Sequence, residues 1–124
     1  MKIIYKNNKV SKVCENLKEA TLYFGGNKDY AISLMARINA LKQAEDIRDI
    51  IALKQMRFHK LVNKGKDKNF EGYFAIDVKT IKDKWRIIIE PLDENEMPFI
   101  PCNIDVIAKN VKIVEIREVS SHYE

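Results

Sequence analysis

Two β-rich runs separated by only six residues constrain this chain more than any other feature. Residues 70–78 and 85–90 are dominated by aromatic, aliphatic and β-branched side chains, and residues 79–84 between them are mostly polar. So short a polar join predicts a β-hairpin. Just before it stands the stretch FHKL, which carries His59, and a loop with Lys60, Lys64, Lys66 and Lys68 follows. Residues 57–86 hold nine Lys or Arg against four Asp or Glu. That clustering makes a local positive field, which phosphates would neutralise with release of counterions. A rigid hairpin with a cationic loop and an adjacent histidine suits the handling of a phosphodiester.

Composition narrows the class. A chain of 124 residues fits one domain, residues 1–124, with room for a real core. Its 46% hydrophobic and 32% charged content is that of a soluble globular protein. No apolar run approaches the roughly 20 residues that cross a bilayer. The opening MKIIYKNNK turns polar too soon for a secretory signal. Cys14 and Cys102 lie far apart with no partner at ligand spacing, which reads as two incidental thiols in a reducing cytoplasm. The net charge of +4 says little about partners by itself; the clustering of the lysines says more.

In chain order, Ile3, Ile4 and Tyr5 predict a short strand ended at Asn7-Asn8. From residue 10 to 24 the pattern is helical, with Val13, Leu17, Ala20 and Phe24 on one face, and Gly25-Gly26 stops it. Asn27 or Asp29 caps a second helix whose apolar positions are Ala31, Leu34, Met35, Ile38 and Leu41. A shorter third helix is expected around residues 45–53. These stripes are wide enough to be core faces, so a DNA-recognition pair is the weaker reading. Residues 91–110, with three prolines, form a long connection with one helical turn after Asn103, and a final strand spans 111–119. The order predicts an α+β domain with its N-terminal helices on one face of a small, mostly antiparallel sheet.

In the second hairpin strand Trp85, Ile87 and Ile89 oppose Arg86, Ile88 and Glu90, so Arg86 sits in an otherwise apolar strand. Such a guanidinium needs an acceptor. Two readings stand: a structural pair with Asp77, Glu90 or Glu115, or an arginine aimed at a phosphate. There is no phosphate-binding glycine loop, no nucleophile elbow and no metal-ligand spacing, so no cofactor is expected. His59 and His122 stand at strand ends that can meet at one edge of an antiparallel sheet. With Arg86 and Tyr123 they compose a set for metal-free RNA cleavage. A base takes the 2′-hydroxyl proton, a cation stabilises the phosphorane, and an acid protonates the leaving 5′-oxygen. The bland reading makes His59 a core histidine, the C-terminal His-Tyr an exposed tail and the lysine loop a solvated turn.

The stretch FHKLVNKGKDKNFEGYFAIDV, the strand KWRIIIEP and the ending VKIVEIREVSSHYE resemble the HigB branch of the RelE/ParE toxins of bacterial toxin–antitoxin pairs. LKEATLYFGG and MARINALKQAEDI resemble the helical part, so the likeness runs from about Leu17 to Glu124. It implies a RelE-like fold and a ribosome-dependent endoribonuclease that cuts mRNA, a toxin monomeric when alone. It also implies a hetero-oligomer with a helix-turn-helix antitoxin. His59 matches the family histidine before the lysine loop and Arg86 the arginine of the Trp-Arg strand. His122 and Tyr123 correspond loosely to a C-terminal aspartate-tyrosine-histidine group, here in the other order and without the aspartate. Lys60, Lys64, Lys66, Lys68 and Lys84 would hold phosphates of messenger and ribosomal RNA. Two other expectations compete: a catalytically silent, antitoxin-binding relative, and a ParE-type inhibitor of DNA gyrase.

Overall fold

The computed structural model describes residues 1–61 and 71–122. The predicted positions 64, 66, 68, 70 and 123 lie outside these described residues. Within them the order is β1 (Lys2–Tyr5), α1 (Asn8–Glu15), α2 (Leu17–Tyr23), α3 (Lys28–Gln43), α4 (Ile47–Ile51), β2 (His59–Lys60), β3 (Phe74–Asp77), β4 (Arg86–Leu92), α5 (Ile104–Ile107) and β5 (Ile113–Ser120). This is the expected α+β class, and among the described residues no helix is long and apolar enough to cross a membrane.

The helices begin where side chains can satisfy their first N–H groups. Asn7 accepts from Val10, Asn16 from Glu19, Asn27 from Tyr30 and Asp46 from Arg48. Asn16 corrects the expectation of one helix over 10–24. Its backbone leaves the helical region (φ −133, ψ 118) and its side chain restarts the chain as α2. The helix stop at Gly25-Gly26 is as expected: both have positive φ, and Gly26 N–H donates to Thr21 at 2.8 Å.

The sheet order is β1-β5-β4-β3-β2. β1 runs parallel to β5, and the other pairs are antiparallel. The β3–β4 hairpin forms as predicted, with Phe74 opposite Ile89 and Asp77 opposite Arg86. Its first strand is shorter than 70–78, and its second runs past Glu90 to Leu92. Ile76, Ile87, Ile89, Val114 and Ile116 face the helices and close the main core against Leu34, Ile38, Leu41, Ile47 and Ile50. Trp85 is pinned by Phe24 (centroids 4.9 Å apart) and Tyr23 (5.8 Å), so these aromatics are core and rim residues. With Trp85 turned to the helices, alternation sends Arg86 to the other face.

Candidate active site on the face away from the helices

On that other face the strand register lays out rows of side chains. His59 pairs with Ala75, Ala75 with Ile88, and Ile88 with Glu118. The next row is Asp77, Arg86 and Ser120. The sequence order left this face without a helix of its own. It carries a small second cluster, Leu61, Ala75 and Ile88, with Tyr73 against it.

His59 belongs to β2, an edge strand not foreseen from the sequence. Its Nδ1 lies 2.6 Å from the carbonyl of Arg57. A carbonyl only accepts, so Nδ1 carries a proton, and in the neutral form of the ring the lone pair is on Nε2. Nε2 is buried and has no partner among the described residues. A buried, unpaired imidazole nitrogen is costly to keep and calls for an explanation. It can take a proton from a hydroxyl.

Arg86 is the main correction. Its side chain is 4% exposed, and its Nη groups donate to three carbonyls: Trp85 at 2.9 Å, Ile81 at 3.0 Å and Thr80 at 3.4 Å. Nε stands 3.2 Å from Asp77 Oδ1 without hydrogen-bond alignment, so that contact is an ion pair alone, and Asp83 lies 3.8 Å from Nη1. The cause is the hairpin turn. Thr80 and Asp83 form a capping box around the short helical turn Ile81–Asp83. Asp83 also accepts from Trp85 N–H, and the tightened turn aims its carbonyls at the guanidinium. The reading of Arg86 as an arginine aimed at a phosphate gives way to the structural pair with Asp77.

Among the described residues no hydrogen bond joins the predicted acid–base partners His59 and His122. His122 is exposed just past β5, its N–H donating to Ser120 Oγ at 3.1 Å. The backbones of β2 and β5 are three strand spacings apart, on the order of 14 Å. Lys60 is exposed on the edge strand opposite Phe74, so its side chain starts on the helix side of the sheet, away from His59. Lys84 is exposed at the hairpin turn with a left-handed φ of 67.

Sequence reasoning missed two arginines. Arg57, at φ 50, donates from Nε to both oxygens of Asp77 at 3.0 and 3.2 Å. Arg37 of α3 donates to the Asp77 carbonyl at 3.0 Å and to those of Gln55 and Lys79. Asp77 is thus a buried hub, 2% exposed, with arginines reaching it from a helix, a loop and a strand. The chain gives no spacing signal for this, because the contacts are tertiary.

Further along the face Arg117 sits 4.7 Å from the Tyr73 ring centroid and pairs with Glu90 at 3.2 Å and Glu115 at 2.5 Å. Burial and the neighbouring Glu115 push the Glu90 carboxyl above its ordinary range, against the pull of Arg117. A raised folded-state value means the protonated form is favoured by folding. The associated stability is complete below the unfolded value and is lost as pH rises through the folded one. Glu90→Gln is therefore expected to raise the urea midpoint at pH 7, with the gain shrinking as pH falls toward about 4. An unchanged or lower midpoint at pH 7 would refute this account of Glu90.

Among the described residues clefts of about 250–470 Å³ lie along α1 and β5, where Glu118 of the His59 row is in the lining, beside Pro98–Cys102, and beside Lys112. The candidate chemistry sits on a sheet face whose central residues, Ala75, Asp77, Arg86 and Ile88, are buried, with the half-buried His59 and Arg57 at its β2 edge. Comparisons with known protein families, with curated proteins and with solved structures find no match.

Proposed function

We propose that this chain is the toxin of a toxin–antitoxin pair, with a RelE-like fold and ribosome-dependent mRNA endoribonuclease activity in the cytoplasm. The observation that carries the reading is His59, whose Nδ1 is tied to the Arg57 carbonyl and whose Nε2 has no partner among the described residues, one row along the sheet from Asp77 and the arginines that hold it. In the reaction Nε2 takes the proton of an RNA 2′-hydroxyl. The P–O2′ bond forms as the P–O5′ bond breaks, and the departing 5′-oxygen takes a proton from solvent. The products are a 2′,3′-cyclic phosphate and a 5′-hydroxyl. Free RNA is a poor substrate on this reading, which leaves orientation of the strand to the ribosome. A helix-turn-helix antitoxin is the expected inhibitor.

Induced expression should arrest growth and leave new 5′ ends within coding regions, while gyrase supercoiling stays normal. Loss of supercoiling with intact messenger would favour the gyrase reading. One observation favours the silent relative: Arg86, the arginine expected to meet the phosphate, is buried. That reading predicts antitoxin binding with no new messenger ends.

A further inference from the structure

Arg57 is tied to His59 by its backbone and to the sheet by its side chain. Its carbonyl fixes the imidazole, and its Nε anchors the guanidinium on Asp77. Three arginines surround Asp77, and their donors are spent differently. Arg37 spends Nε and Nη2 on main-chain carbonyls. Arg86 is 4% exposed, with both Nη groups on carbonyls. Arg57 is 34% exposed, is held through Nε, and has no partner for Nη1 or Nη2 among the described residues.

The cluster is also the right charge. Arg37, Arg57 and Arg86 face Asp77 and Asp83, which leaves one positive charge unmatched. Asp77 follows Ala75 by two residues, so the anchor of Arg57 shares a face with the row of His59. The two rows are about 7 Å apart.

Resting on the endoribonuclease reading, we infer that Arg57 takes the part the sequence suggested for Arg86. Its Nη groups bind the non-bridging oxygens of the scissile phosphodiester and carry the charge that grows on the phosphorane. Asp77 is its positioning residue, holding Nε so that the fork points outward. Arg86 in turn holds Asp77 from within.

The test uses the full chain and begins without any variant. 3′-AMP, the phosphate probe, is titrated into labelled wild-type protein while the arginine Nε–H and histidine ring signals are followed. Saturable shifts at Arg57 and His59, with Arg86 unmoved, are expected. Shifts confined to lysines or to Arg86 would overturn the inference. Arg57→Gln should then weaken 3′-AMP binding at least tenfold and slow single-turnover cleavage on programmed ribosomes at least a hundredfold. Ribosome affinity and the Nδ1–H tautomer of His59 should be unchanged, because the backbone carbonyl remains. Arg57→Lys should rescue poorly, since one ammonium cannot hold Asp77 and a phosphate together. If wild type cuts messenger and Arg57→Gln cuts as fast, the inference falls and the endoribonuclease stands. If wild type cuts nothing yet 3′-AMP still moves Arg57, the anion seat stands and the endoribonuclease falls.

Discussion

Arg86→Ala is expected to lose about 3–5 kcal/mol of folding free energy and to lower the melting temperature by roughly 10–25 °C. The substitution removes a buried guanidinium from between Asp77 and Asp83 and strands the carbonyls of Thr80, Ile81 and Trp85 that converge on it. Domains of this size are stable by about 5–15 kcal/mol, so the variant would be marginal, and any loss of toxicity would be a loss of folded protein. Arg86→Met should be milder, because an apolar replacement of a buried ion often costs little and Asp77 keeps Arg57. Thermal unfolding followed by circular dichroism separates the cases. An Arg86→Ala protein that melts like wild type yet has lost all activity would return this arginine to the chemistry.

His59→Ala should behave in the opposite way. The ring is half-buried on a two-residue edge strand, and the bond it loses is a single one to the Arg57 carbonyl. The fold should persist, with the melting point shifted by a few degrees at most. Cleavage should fall by at least 10²-fold, the usual contribution of a positioned base. Growth arrest on induction should disappear with it. Full toxicity in a stably folded His59→Ala protein would remove the histidine from the mechanism and leave a basic binding surface.

The two arginines thus separate stability from chemistry, and the sequence shows why they were hard to tell apart. Alternation in the hairpin was legible, since Ile87 and Ile89 had to face the helices and Arg86 had to face away. What covers the far face was not. The signal for it was present in Thr80 and Asp83, whose three-residue spacing is that of a capping box, but the run reads at first as a plain polar turn. The break at Asn16 was marked in the same way, by Asn16 and Glu19, inside a pattern whose apolar period continues across it. The pairing of β2 with β3 depends on a contact across a loop, which two residues of local sequence cannot announce. Arg37 and Arg57 reach Asp77 across 40 and 20 positions, so no local period connects them. The clustering of the lysines pointed to them as the cationic feature. At the described site the cations gathered on Asp77 are arginines, and a planar fork can be anchored by one nitrogen and still offer others.

One measurement bears most directly on the claim that His59 is a base acting on RNA phosphodiesters. Ribosomes programmed with a defined messenger are mixed with excess wild-type protein, and both new RNA ends are identified chemically after a single turnover. The account predicts cleavage within the exposed codon, a 2′,3′-cyclic phosphate upstream and a 5′-hydroxyl downstream, and neither product with His59→Ala. Intact messenger under wild-type protein that binds the ribosome, or equal products from His59→Ala, would contradict it.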